Sequence, residues 1–158
     1  MERLWAPWRM RYIDSSNVKG CFLCKYIKQR SDSRNLILHR GKEAFIILNR
    51  FPYNSGHLMV APYSHISSLE ALSDAENMDL MKLIVFSINL LKKAFAPQGF
   101  NIGLNLGRVA GAGLEDHIHF HVVPRWSGDT NFMPVSAGTK VVAQQLEETY
   151  KRLKKEIR

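Results

Sequence analysis

The strongest periodicity in the chain runs from Ser73 to Ala96. Apolar residues recur there at three- and four-residue intervals, at Met78, Met81, Ile84, Val85, Ile88 and Leu91. This predicts a long amphipathic helix with that stripe turned to the core. Ser73-x-x-Glu76 reads as a capping box, Asp74, Glu76 and Asp79 suit the positive end of the helix dipole, and Lys92 and Lys93 suit the negative end. Pro97 and Gly99 stop the helix. Its methionines read as core rather than as part of a cofactor site. A second pattern, at Val142, Leu146, Tyr150, Leu153 and Ile157, predicts a C-terminal helix within residues 136–158, with Thr139 as its cap.

Short aliphatic runs predict strands at 36–39, 43–48, 57–61, 101–106 and 117–123. Gly41, the loop NRFPYNSG (49–56), Pro62 and the small-residue loop GRVAGAG (107–113) separate them. Hairpin-length links favour an antiparallel sheet of about five strands with two main helices on one side, an α+β fold. A chain of 158 residues is read as a single domain, 1–158, with residues 1–20 as an N-terminal arm. Trp5 and Trp8 in that arm point to docking onto the domain or a partner.

Composition narrows the class. Hydrophobic residues are 46% and charged residues 23%, which excludes a disordered or fibrous chain. No apolar run is long enough to span a membrane, and the first residues lack the apolar core of a secretion signal, so a cytoplasmic protein is expected. The net charge of +8 invites a polyanion partner. Its distribution weakens that reading. Residues 1–40 hold nine Lys/Arg against three Asp/Glu, residues 151–158 hold five against one, and the middle is slightly acidic. The basic C-terminus also fits a solvated helix face.

The chemistry lies in the histidines. His117, His119 and His121 alternate with Ile118, Phe120 and Val122, so a strand would line three imidazoles along one face. Each ring carries a donor or acceptor needing a partner, which makes such a row poor core material. Two readings compete: a three-histidine metal site and nucleophilic catalysis at phosphorus. A neutral imidazole is nucleophilic near pH 7 when an acceptor holds its other nitrogen as N–H. The preceding glycine loop offers backbone N–H groups to an anion. His57 starts a strand and could point at the triplet, with Asn49 ending the paired strand, whereas His39 reads as a surface or satisfied histidine. Cys21-x-x-Cys24 reads as half a zinc site, with His65 and a triplet histidine as further ligands, or as a redox pair.

These residues resemble a family. His117-Ile118-His119-Phe120-His121-Val122-Val123 resembles the histidine-triad signature, His-φ-His-φ-His-φ-φ, of nucleotide hydrolases and transferases. Residues 44–62 resemble that family's nucleotide-binding hairpin, and residues 105–126 its glycine-rich loop and catalytic strand. With CxxC and WAPWRMRYI, the chain is similar over about residues 1–135 to a bacterial branch related to diadenosine polyphosphate hydrolases and phosphorylases.

The resemblance implies an α+β homodimer acting on a nucleotide substrate. His119 would be the nucleophile that forms a nucleotidyl-histidine, His121 would contact phosphate, and His57 would be the fourth histidine of the site. Asn49 would hold the ribose, Phe22, Leu23 and Ile47 the base, and Asn105, Gly111 and Gly113 the phosphates. Cys21, Cys24, His65 and His117 would ligate a zinc ion, Zn2+, structural because four protein ligands leave no open position. Clear transferases carry Gln at the third triad position, so His121 leans towards hydrolysis, although phosphorylases of this shape keep the third His. Leu114 stands where many relatives are polar, which leaves phosphate contacts there to the backbone. A nucleic-acid-linked deadenylase and a non-catalytic nucleotide-binding module are the competing functions. Neither is favoured, and the second gives no reason for aligned histidines.

Overall fold

The computed structural model describes residues 20–130 and 144–157. The arm with Trp5 and Trp8, the cap Thr139 and the periodic Val142 lie outside the described residues. Four α-helices and five strands are described: α1 (Phe22–Gln29), α2 (Asp32–Asn35), β1 (Ile37–Arg40), β2 (Ala44–Leu48), β3 (Leu58–Pro62), α3 (Asp74–Phe95), β4 (Gly99–Gly103), β5 (Phe120–Arg125) and α4 (Leu146–Glu156). The strands form one antiparallel sheet in the order β1-β2-β3-β5-β4. Helix α3 packs against β2, β3 and β5, and α4 packs against α3 and β1. The α+β expectation holds. Helix α1 went unpredicted: it has only eight residues, and no side chain caps it.

β2 and β3 are buried along their whole length, because the sheet is covered where they lie at its centre. Phe45, Ile46, Leu58 and Val60 have no accessible surface. Full burial of such side chains contributes about 1.5–3 kcal/mol each. The edge strand β1 is tied down by α4: Tyr150 Oη donates to the Ile37 carbonyl at 2.9 Å and Lys154 Nζ to the Leu38 carbonyl at 2.8 Å.

The capping box of α3 is present. The Glu76 amide donates to Ser73 Oγ at 3.3 Å, and the Ser73 amide donates to Glu76 Oε2 at 2.8 Å. The expected stripe is out of phase, however. Leu80, Leu83, Ile84, Ser87, Leu90, Leu91 and Ala94 are buried, while Met78, Met81 and Val85 are exposed at 58%, 57% and 50%. Two things rotate the helix. Apolar residues occupy more than one of its faces, so hydrophobicity alone does not phase it. Ser87 can lie inside because its hydroxyl donates to the Leu83 carbonyl at 2.8 Å. Asp79 then faces the β1–β2 turn, where its Oδ2 accepts from the amides of Glu43 at 2.7 Å and Ala44 at 3.0 Å.

Other boundaries also move. The fourth strand is Gly99–Gly103 rather than 101–106, starting close behind the helix stop. The described C-terminal helix starts at Leu146, after the extended N-cap Gln145. The fifth strand starts at Phe120, three residues after His117, where pairing with β3 begins, and β4 joins from His121.

The loop 49–57 between β2 and β3 places His57. Gly56 has φ +78°, and a Cβ there would come within 3.1 Å of Leu91 and 3.3 Å of Pro124, so the turn needs glycine on both counts. Asn54 anchors the loop to the end of β5, donating to the Pro124 carbonyl at 3.2 Å and to Asp129 at 2.8 Å.

Asp79→Ala removes two charge-assisted bonds from helix to hairpin. It is expected to lower unfolding stability by about 2 kcal/mol, read as a shifted urea midpoint with an unchanged slope.

Candidate active site

The register explains which histidines meet. Met59 on β3 pairs with His121 on β5, and His57 lies two residues before Met59, so the rings of His57 and His121 emerge on one face. His57 Nε2 and His121 Nδ1 lie 2.9 Å apart, and their ring centroids 5.0 Å apart. The His119 ring stands 4.9 Å from that of His121, nearly perpendicular to it. On the other flank Gly103 of β4 pairs with His121 and carries no side chain to crowd it.

His119 precedes the strand. Its Nδ1 lies 2.9 Å from the carbonyl oxygen of His117, which makes Nδ1–H the donor and leaves Nε2 unprotonated. At His57 the polarity is set from the other side. The Tyr53 amide donates to His57 Nδ1 at 3.0 Å, and Asn49 Nδ2 stands 3.3 Å from the same nitrogen. The Asn49 amide is oriented by its Oδ1, which accepts from the Phe51 amide at 2.9 Å. His57 therefore carries its proton on Nε2 and donates it to His121 Nδ1, so the His121 proton also sits on Nε2.

The expected row of three splits at His117. That ring is fully buried and joins a different cluster. Its Nδ1 lies 3.3 Å from Cys21 Sγ and 3.5 Å from Cys24 Sγ, and Cys24 Sγ lies 3.5 Å from His65 Nδ1. One ligand atom from each of Cys21, Cys24, His65 and His117 fits within 4.8 Å of the others. Tetrahedral sulfur and nitrogen ligands of one ion stand roughly 3.5 Å apart, so the set fits a metal of zinc's size and donor preference. His117 Nε2–H donates to the Pro62 carbonyl at 2.9 Å, the outer contact that leaves Nδ1 as the ligand. Burial foremost, with Cys24 beside it, pushes the Cys21 thiol up to about 11. A bound cation would reverse that by favouring thiolate.

The HIT domain family model matches residues 30–128, well over half of the chain. The chain belongs to the HIT family. It is 44% identical to an AP-4-A phosphorylase of Mycobacterium tuberculosis, over 97% of this chain and 83% of that protein. It is 30% identical to an uncharacterized HIT-like protein of Methanocaldococcus jannaschii, over 85% of this chain and 98% of that one. Among solved structures, a Zn-bound histidine triad family protein from Mycobacterium smegmatis superposes with a TM-score of 0.69 at 21% identity, over 87% and 93% of the two chains, and shares the fold. The family's enzymes act on nucleotides, and this chain is an enzyme of that kind.

The other residues expected to bind a nucleotide differ in exposure. Leu23 and Ile47 are closed into the hydrophobic core, whereas Phe22 is partly exposed with its ring edge on Tyr26 at 5.6 Å. Asn105 is near Gly111, its Nδ2 donating to the Gly111 carbonyl at 3.4 Å. Gly107 and Gly111 take φ +77° and +93°, which turn the loop at both ends of the short 3-10 segment Arg108–Ala110. The cations beside the site are already paired: Arg108 with Glu115 at 2.9 Å, and Arg125 with Asp129 at 2.6 Å. His39 stacks on Phe86, away from the site. Sequence reasoning missed Tyr53, whose position four residues before His57 was the available signal.

Burial pushes the imidazoles of His117, His119 and His121 below their ordinary value. For His121 burial comes first and the neighbouring His119 second, and together they bring it to about 4 from 6.5. The unfolded chain therefore binds more protons than the folded one between those values. This contribution to stability is complete above about pH 6.5 and drains away as pH falls towards 4. Denaturant titrations should show unfolding free energy dropping through that window, and His121→Asn should flatten the drop.

Proposed function

We propose that the chain cleaves a dinucleoside polyphosphate, of the diadenosine tetraphosphate type, through a nucleotidyl-histidine on His119, and passes the nucleotidyl group to inorganic phosphate. The observation that carries this is the 2.9 Å bond from His119 Nδ1 to the His117 carbonyl, which leaves Nε2 unprotonated in a ring that stands against His121. Identity of 44% to an AP-4-A phosphorylase over nearly the whole chain supports phosphate rather than water as acceptor.

In this reading His119 Nε2 attacks the α-phosphorus. The phosphorus–oxygen bond to the rest of the polyphosphate breaks, and that oxygen leaves with the electron pair. His121 Nε2–H, held by His57, donates to the phosphate oxygens as charge moves onto them. An oxygen of inorganic phosphate then attacks the same phosphorus and displaces Nε2, giving a nucleoside diphosphate and regenerating the neutral ring. Phe22 remains the candidate contact for the base, Asn49 for the ribose, and Asn105 with Gly111 and Gly113 for the phosphates. Leu23 and Ile47 act from the core, as support.

Cys21, Cys24, His65 and His117 would hold Zn2+ as a structural ion. When bound it supplies a cross-link between α1, the segment after β3 and the start of the triad, and it has no open position for substrate. The reading treats 1–158 as one domain in a cytoplasmic homodimer. Two features support those last points. Thiols kept as metal ligands suit a reducing compartment. At the sheet edge β4 leaves Asn101, Ile102 and Gly103 exposed, a template for a second copy. Among the described residues no helix is long and apolar enough to cross a membrane. A nucleic-acid partner is not part of the reading.

Products separate the acceptors. Diadenosine tetraphosphate with the enzyme should give ADP and ATP only when phosphate is present, whereas AMP and ATP without phosphate would mean hydrolysis. His119→Ala should reduce turnover at least about a thousandfold, while substrate binding persists. Turnover by that variant at the wild-type rate would overturn the reading.

A further inference from the structure

We propose that Tyr53 is a positioning residue of this reaction: its main-chain N–H holds the acceptor nitrogen of His57, and its ring covers the His57–His121 hydrogen bond against water.

The first half follows from the order of donors. The Tyr53 amide points at His57 Nδ1 from 3.0 Å, and Asn49 Nδ2 approaches the same atom. Two donors on one nitrogen leave no place there for a proton. The tautomer of His57 is thus set by the loop, and it sets that of His121 through the 2.9 Å bond between the rings. Without the first contact, His57 could carry its proton on Nδ1, and His121 would lose the neighbour that keeps its own proton on Nε2.

The second half follows from ring geometry. The Tyr53 centroid lies 4.7 Å from that of His57 and 5.6 Å from that of His121, tilted by 35° and 36°. Tyr53 is 49% exposed, so it meets the imidazoles on one side and solvent on the other. A ring in that place is a partition. It thickens the low-dielectric surroundings of a hydrogen bond that water would otherwise reach, and a hydrogen bond in such surroundings is the stronger one. Ring and amide do this, and the hydroxyl takes no part. The titratable groups against His121 among the described residues are His119 before β5, His57 before β3 and Tyr53 itself. Its cross-strand partners, Met59 and Gly103, carry no charge. The enclosure agrees with the burial that brings His121 down to about 4.

The proposal rests on reading His121 as the donor to phosphate. The test therefore pairs kinetics with a readout that needs no turnover. Full-length protein, as purified and labelled with 15N at histidine, is compared as wild type, Tyr53→Phe, Tyr53→Leu and Tyr53→Ala. Proton–nitrogen correlation spectra report tautomers and ring titrations. Wild type should show His57 and His121 protonated at Nε2. Phe should match wild type in titration and kcat. Ala should raise the His121 titration towards the ordinary range and lower kcat about tenfold or more, with KM changed less than twofold. Leu, which fills the space and keeps the fold, should fall between. A wild-type His57 protonated at Nδ1, a His121 titration unmoved in Ala and Leu, or a rise in KM alone, the mark of a substrate contact, would each overturn the proposal. If no dinucleotide is cleaved by any of the proteins, the proposed reaction fails, and the spectra still decide whether Tyr53 governs the two rings.

Discussion

The site depends on one extended stretch of chain, His117 to His121, held at both ends by different means. At its start the His117 ring is locked between the Pro62 carbonyl and the cysteine cluster. At its end His121 lies in the sheet, paired with Met59 and Gly103. His119 sits between the two anchors and borrows its orientation from the first, through the His117 carbonyl. Any slip of β5 by one residue would turn His121 to the other face and part it from His57. The main-chain link from Ile118 N–H to the Ile66 carbonyl, at 2.8 Å, resists such a slip just outside the ladder.

The electrostatics run against what the charge balance implies. An excess of +8 would suit a site built from Lys and Arg. The groups that meet at His121 are instead rings, and burial pushes His119 and His121 below their ordinary titration range. Neutral rings of fixed tautomer suit the proposed reaction, because a cationic ring at His119 could not attack phosphorus. The two nearby arginines are engaged with Glu115 and Asp129 and shape loops rather than offering free charge.

Much of this was legible in the chain. The capping box at Ser73, the turn signal at Gly41 and the pair His119 and His121 carry local chemistry that survives folding. Cys21, Cys24, His65 and a triplet histidine group on their chemistry, the resemblance picked His117 from the triplet, and the geometry brings those four together. Tertiary choice decided the rest. The inward face of α3 was only partly legible: Ile84 and Leu91 are buried as expected, but Met78, Met81 and Val85 are as apolar as the residues that win, and the buried Ser87 and the grip of Asp79 on the β1–β2 turn mark the face that turns inward. Strand β5 starts late because His117 is drawn into another cluster. The eight residues of α1 follow Cys21 without a side-chain cap, so nothing local announced them. Tyr53 lies inside the 44–62 hairpin without a chemical signal of its own, and its contacts with His57 and His121 appear only when loop and sheet stand side by side.

The central claim is that His119 Nε2 becomes covalently joined to the substrate. The direct measurement is a rapid base-quenched reaction with α-labelled diadenosine tetraphosphate in phosphate-free buffer, followed by peptide mapping kept at alkaline pH. The account predicts a nucleotidyl group on His119 that is stable in base, labile in acid and discharged when phosphate is added. Turnover at full rate with no label on the protein at any time, or with the label on another residue, would contradict it.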